Sequence, residues 1–336
     1  MRLYLILTFL GVITHHIASA QAPQFSQFYA NPLYANPAFA GEGGTPRLIA
    51  NYRNQWATLG TAYHTAAFSF DTYAEDAGIG LGFQALHDQN GPAIQGNLVN
   101  GQVAKMVYLD GQKRVRLIGG LQAGFASSRW NGDNLTYVSD FLGSADPLSL
   151  GGFSSNRLTL GAGSMIEYVP KDDYSPSFWA AGAWHNIGIK DNWWLSQQRA
   201  NIQAGTVIPV DIPSFFGNYL GRDLNRQSFL SLAVQARKQM ASHQLDAGFN
   251  FTTSPILLGV WYRGLVMGKN RRDALIGTVG IMLDNMMFQA SYDVPVSSIG
   301  TDTGAFEISI WYTVDTIFSF SSRARQERKA MRSIRF

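Results

Sequence analysis

From Arg47 onward the chain keeps a period of two, and that period restricts what it can become. Ile79, Leu81, Phe83 and Ala85 fall on one side of a strand, with Gly78, Gly80, Gly82 and Gln84 on the other. Leu245, Ala247, Phe249 and Phe251 alternate with Gln244, Asp246, Gly248 and Asn250, and Phe306, Ile308, Ile310 and Tyr312 with Glu307, Ser309, Trp311 and Thr313. Strict alternation marks strands with one apolar face and one polar or small face. The pattern predicts about fourteen strands, at 47–56, 62–72, 77–87, 94–108, 113–129, 156–168, 176–187, 199–209, 226–239, 242–253, 255–265, 273–283, 285–295 and 303–318. Most are near the roughly 9–11 residues of a tilted strand crossing a bilayer.

Composition says which solvent the apolar face meets. Only 15% of residues are charged, against 34 glycines, 8 Trp, 14 Tyr and 21 Phe. A soluble product of this size would carry more charge and amphipathic helices, so the composition favours lipid around the outside. No repeat of propeller-blade length is present, which weakens the soluble all-β alternatives. A sheet in a bilayer leaves no open edge, so the expected fold is an all-β, transmembrane antiparallel β-barrel of about 14 strands. Trp56, Trp130, Trp179, Trp184, Trp193, Trp194, Trp261 and Trp311 lie near strand ends and suit interfacial girdles, although core packing accommodates them as well.

An even strand number places both ends of the barrel on the periplasmic side. The connections near 130–155, 188–198, 266–272 and 296–302 then face the exterior, and those near 73–76, 109–112, 169–175, 254 and 284 are short periplasmic turns. The aromatic segment 210–225 breaks the rule of short inner turns. Either the strand count slips there or the segment is a docking element.

Met1–Ala20 reads as a secretory signal: Arg2, the apolar run Leu3–Ile13, and Ala18-Ser19-Ala20 as cleavage site. The apolar run is shorter than the ~20 residues of a spanning helix. With no cysteine there is neither a lipidation site after the signal nor a disulfide. The expected organisation is a signal at 1–20, an arm at 21–46, an outer-membrane barrel at 47–320 and a basic periplasmic tail at 321–336. The formal charge of +3 is concentrated in that tail, whose Arg323, Arg325, Arg328, Lys329, Arg332 and Arg335 stand against Glu327 alone. The rest of the mature chain is not basic, and nothing points to nucleic acid. The tail reads either as a solvated terminus or as a handle for an acidic periplasmic partner or lipid headgroups.

Ahead of the first strand, Tyr-Ala-Asn-Pro occurs twice, at Tyr29–Pro32 and Tyr34–Pro37. Each proline lacks an N–H and turns the asparagine before it away from the α region. The sequence predicts an irregular arm held by its rings, with Phe25, Phe28, Tyr29, Asn31, Pro32, Tyr34, Asn36, Pro37 and Phe39 as the residues that plug or brace the barrel. The glycines of 78–82 would leave room inside the barrel for it.

Catalytic constellations are weak. His64, His87, His185 and His243 have no metal-ligand spacing, and no Gly-x-Ser-x-Gly elbow is present. Gly78-Ile79-Gly80-Leu81-Gly82 lies within a strand and opens no helix, which argues against a phosphate loop. Asp88-Gln89-Asn90-Gly91 and Asn131-Gly132-Asp133-Asn134 lack the full ligand set of a calcium loop and suit ordinary turns. The reading is of a non-enzyme with no cofactor.

Pro23-Gln24-Phe25-Ser26-Gln27, then Asn31-Pro32, Asn36-Pro37 and Ala40-Gly41, resembles the opening of the PorP/SprF family of outer-membrane proteins associated with type IX secretion. Tyr52–Trp56, Phe68–Asp71, Gly78–Gly82 with Asp88 and Gly91-Pro92, and Glu307–Ile310 are similar to later family segments. The basic extension after the last strand departs from that pattern. The resemblance implies a barrel that supports export or surface anchoring of an adhesin by binding its C-terminal sorting domain, in some bacteria with gliding motility. It implies as partners the cargo adhesin, other secretion components and outer-membrane lipid, with exterior loops 130–155 and 188–198 receiving cargo. The alternative is a passive porin or small-molecule transporter of the same architecture, and an outer-membrane hydrolase is a third reading.

Overall fold

Alternation becomes a closed wall. The computed structural model describes residues 22–56, 63–132, 135, 152–172, 174–189, 193–210, 228–240, 242–264, 272–296 and 304–314. In these it forms fourteen antiparallel strands: β1 (Arg47–Gln55), β2 (Tyr63–Ala74), β3 (Ile79–Asn90), β4 (Ile94–Tyr108), β5 (Val115–Asn131), β6 (Gly152–Tyr168), β7 (Ser177–His185), β8 (Arg199–Val210), β9 (Ser228–Gln239), β10 (Ser242–Thr253), β11 (Ile256–Gly264), β12 (Arg272–Leu283), β13 (Met286–Pro295) and β14 (Ala305–Thr313). Each strand pairs with its sequence neighbours, and β1 pairs with β14 from Arg47↔Thr313 to Gln55↔Ala305, so no edge remains between first and last strand. Among the described residues no helix is long and apolar enough to cross a membrane.

The two faces are reversed relative to a soluble protein. Leu81, Phe83, Val99, Val103, Leu121, Phe125, Leu160, Ile202, Val279 and Ile308 are exposed on the outside. Asn51, Arg53, Ser69, Asp71, Gln84, Gln102, Arg116, Glu167, Asn201, Gln235, Asp246, Asn250, Glu307 and Ser309 are buried within. An outer apolar belt over a polar interior is the arrangement lipid selects. Leu121, 62% exposed in the middle of β5, tests it directly. Leu121→Arg is expected to cost about 2–4 kcal/mol of folding free energy in liposomes, whereas the same change on a soluble surface would be nearly neutral. Equal stability of the two proteins in denaturant titrations would contradict a membrane position for this face.

At the rim where β1 begins, five of the six connections are short, at 75–78, 109–114, 169–176, 254–255 and 284–285, and the sixth, 211–227, lies outside the described residues. Asp110 closes one of them. Its carboxylate accepts the N–H groups of Val115 (2.9 Å) and Arg114 (2.7 Å), bonds that hold its carboxyl below the usual range. Asp172 is lowered likewise by the Ser175 hydroxyl and by the N–H groups of Ser175 and Tyr174. Asp284 adopts φ 47°, as a two-residue hairpin turn requires.

Among the described residues, β5 and β6 are the longest strands, at 17 residues each, and they form a hairpin at the opposite rim. It stays zipped to Asn131↔Gly152, four residues beyond the start expected from alternation. Trp130 stacks on Phe153 with centroids 5.5 Å apart, which holds the strands together where the Gly- and Ser-rich sequence loses its period. The strand count does not slip around 210–225, since β8 and β9 pair directly from Arg199↔Gln239 to Val210↔Ser228. Beyond Val210 that segment lies outside the described residues, as do the signal and the tail.

Candidate functional site: the occupied lumen

The barrel interior holds the chain's own N-terminal arm, residues 22–44. The two Asn-Pro steps organise it. Pro32 and Pro37 each stand in the first helical turn after an asparagine, where a missing N–H is tolerated. The arm is therefore less irregular than its prolines suggest: single turns run over Phe28–Ala30, Pro32–Ala35 and Pro37–Phe39. Asn36 Oδ1 caps the last of them by accepting the Ala38 N–H at 2.8 Å. Its Nδ2 donates outward to the wall carbonyls of Ser164 (3.2 Å) and Gly182 (3.1 Å).

Turns this short leave many main-chain groups without internal partners, and the wall supplies them. Arg237 donates to Ala22 O (2.9 Å) and Pro23 O (3.1 Å), Arg263 to Phe25 O (2.9 Å) and Asn51 to Ala30 O (3.1 Å). Gln102 donates to Leu33 O (3.1 Å), Arg199 to Tyr34 O (2.7 Å) and Asn201 to Ala35 O (2.8 Å), with His185 Nε2 3.1 Å from the same oxygen. In the other direction, Glu307 accepts the N–H groups of Ser26 (2.6 Å) and Gln27 (3.2 Å), and Asp71 that of Gly41 (2.9 Å). Buried main-chain groups require such partners, so the inward polar residues answer the arm's irregular backbone.

Charges in the lumen are also paired. Arg53 lies 3.0 Å from Asp293 and 3.6 Å from Glu307 and bonds Ser26 Oγ, while Arg263 bridges Asp293 (3.0 Å) and Asp246 (3.2 Å). Arg47 joins Asp71 at 2.9 Å, and Arg116 pairs with Glu167. Arg199 covers the Tyr34 ring, 3.9 Å from its centroid.

Rings and clearances fix the arm's position. Tyr29 stacks on Trp261 at 5.0 Å, Phe28 meets the same indole edge-on at 5.3 Å, Phe39 meets Trp179 at 6.0 Å, and Phe25 meets Tyr34 at 5.4 Å. Asn31 accepts a bond from Gln84 at 3.1 Å. Where the arm lies flat on the wall, the wall has glycine. A Cβ on Gly80 would collide with the carbonyl of Ala40, one on Gly120 with the backbone of Pro37 and Ala38, and one on Gly163 with Asn36 Oδ1. Gly82 faces Leu33 and Ala40, where a Cβ would come within 3.1 and 3.2 Å. Every arm residue singled out from the sequence lies within this lumen and is buried.

The opposite mouth is also covered. Residues 193–197 turn inward: Gln239 donates to Trp194 O (3.1 Å), Trp194 Nε1 donates to Asp88 (2.8 Å), and Asn186 holds Leu195 O (2.9 Å) and Gln197 O (2.8 Å). Trp194 and Leu195 join Phe25, Tyr34, Leu86 and Leu98 in one apolar cluster. This part of the loop expected at 188–198 is therefore folded into the mouth. Trp179, Trp194 and Trp261 are likewise buried inside and do not belong to a girdle, because the arm and the mouth give their rings an apolar surface to cover. Trp184 alone among the eight is more than half exposed on the outer face. Between the arm and β8–β10 is a cavity of about 20 Å³ lined by Phe25, Asn31, Asn201, Arg237 and Gln244. Among the described residues no cluster of acidic and histidine side chains could hold a metal.

A family model described as type IX secretion system membrane protein PorP/SprF matches residues 17–312, arm and wall together. The chain belongs to the PorP/SprF family. It is thus an outer-membrane β-barrel of a secretion-system family. No curated protein matches it. Among solved structures, it is similar to the Acinetobacter baumannii outer membrane protein Omp33 (6% identity, 80% of this chain and 98% of that one, TM-score 0.43). It is similar also to the KdgM porin (7%, 80% and 99%, TM-score 0.40) and the NanC porin (9%, 80% and 100%, TM-score 0.40). Likeness at this level adds nothing to the barrel topology already described. The polar wall residues that meet this PorP/SprF arm were not singled out from the sequence. Their only signal is a long polar side chain at an inward position of an alternating strand, and a water-filled channel would show the same.

Proposed function

We propose that this barrel supports the export or surface anchoring of a cargo adhesin in type IX secretion by holding the adhesin's C-terminal sorting domain at its exterior rim. In this reading residues 1–20 are the export signal, the rim where β1 begins faces the periplasm, and the protein acts as a binding and assembly element. The arm braces and plugs the lumen. The tail Arg323, Arg325, Arg328, Lys329, Arg332 and Arg335 contacts periplasmic partners, and any link to gliding motility depends on the cargo carried. The observation that supports this over a passive porin is the occupied lumen, whose polar wall is engaged by the chain itself from Ala22 to Gly41. A diffusion pore needs that volume for solute.

The test is removal of residues 23–41 in the native host. The expected result is a barrel still inserted in the outer membrane with cargo lost from the cell surface. Normal cargo display by an inserted, armless barrel would refute the proposal.

A further inference from the structure

The lumen reads its occupant in two different ways along its length. Over Ala22–Phe25 the wall bonds main-chain groups through long side chains such as Arg237 and Arg263, and it packs the Phe25 ring against Leu86 and Leu98. Over Asn36–Gly41 it tests size and identity. Asn36 alone presents an amide that both caps its own turn and donates to two wall carbonyls. The backbone of Pro37-Ala38 lies against Gly120 and that of Ala40 against Gly80, while the Ala40 methyl faces Gly82 and the Ala38 methyl is fully buried. Gly41, at φ 69°, approaches so closely that a Cβ there would come within 2.6 Å of Gly80 Cα. Almost none of this depends on covalent continuity. The arm reaches the wall through noncovalent contacts, and Gly43-Gly44 joins it to β1.

We propose that the lumen is a sequence-specific polypeptide-binding site, keyed to an Asn-Pro-Ala-Phe-Ala-Gly segment, that accepts such a segment from a second polypeptide as it accepts its own. Specificity lies in Asn36, Ala38, Ala40 and Gly41, and main-chain bonds supply the rest of the hold. This stands on the lumen geometry alone and is independent of the secretion role.

The experiment uses the full chain with a protease site inserted between Gly43 and Gly44, cut after the barrel has folded in detergent. The severed arm should stay with the barrel through gel filtration and exchange for a labelled synthetic peptide of residues 22–42, followed by anisotropy. The Ala40→Leu peptide should bind about 10- to 100-fold more weakly, from overpacking of its buried side chain against Gly82. The Asn36→Ala peptide should lose about tenfold, from its two wall bonds. If the insertion blocks folding, the full chain carrying Ala40→Leu, refolded with excess peptide 22–42, gives the same readout, since its own arm cannot seat. Loss of the arm on cutting, refusal to exchange, or equal binding of the Ala40→Leu peptide would each overturn the proposal.

Discussion

Replacing Gly80 and Gly120 together by valine is expected to unseat the arm and raise the ion conductance of the barrel. A Cβ on Gly80 strikes the Ala40 carbonyl, and one on Gly120 strikes the backbone between Pro37 and Ala38. These are main-chain atoms within capped turns and cannot rotate aside as a flexible side chain would. Overpacking costs about 1–3 kcal/mol at a single site, and both collisions fall on Pro37–Gly41, which bonds the wall through the Gly41 N–H on Asp71. The wall itself tolerates the change. Gly80 pairs with Tyr73 and Ala104 inside β3, where a β-branched residue is at home, and the polar groups released by the arm would meet water. The double variant should insert normally, show ion conductance in planar bilayers and expose residues 22–44 to protease. A sealed bilayer with a protected arm would mean that the glycines do not seat the arm.

The wall was legible because period two is a local signal. All fourteen strands lie at the segments their alternation predicts, within a few residues at the ends. β14 ends at Thr313, five residues before the expected 318, and the early start of β6 at Gly152 goes with a cross-strand contact between Trp130 and Phe153 that alternation does not encode. The arm was legible as a segment, since Asn-Pro twice within nine residues suits neither strand nor helix interior. Its turns were not, because a proline can break a helix or begin one, and the outcome depends on the partners its neighbours find. Here the wall decides, by bonding the carbonyls of Leu33, Tyr34 and Ala35. The tryptophans show the limit most plainly. Trp179 shares the inward face of its strand with Ala181 and His185, and Trp261 with Leu257 and Arg263, and inside the barrel they meet Phe39, Phe28 and Tyr29. What the sequence cannot encode locally is the partner across the lumen.

The second large effect concerns the charges beneath the arm's first residues. Arg53 pairs with Asp293 and Glu307, Arg263 with Asp293 and Asp246, and Arg237 lies near Asp246. Arg53→Met would take from Glu307 the cation it pairs with and from Asp293 one of its two, and breaking a buried pair in this way typically costs about 3–5 kcal/mol. Glu307→Leu removes the carboxylate that pairs with Arg53 and leaves Arg53 on Asp293. Its main penalty is the loss of the acceptor for the Ser26 and Gln27 N–H groups, about 1–3 kcal/mol. The two changes should therefore be strongly non-additive. Arg53→Met with Glu307→Leu leaves Arg263 between Asp246 and Asp293, and is expected to be more stable than Arg53→Met alone despite carrying one more substitution. Urea titrations of the four proteins in detergent, followed by tryptophan fluorescence, measure the cycle. A double variant as unstable as the sum of the singles would show that Arg53 and Glu307 act separately. The arm's first turn would then be held by its rings on Trp261, not by the charges under it.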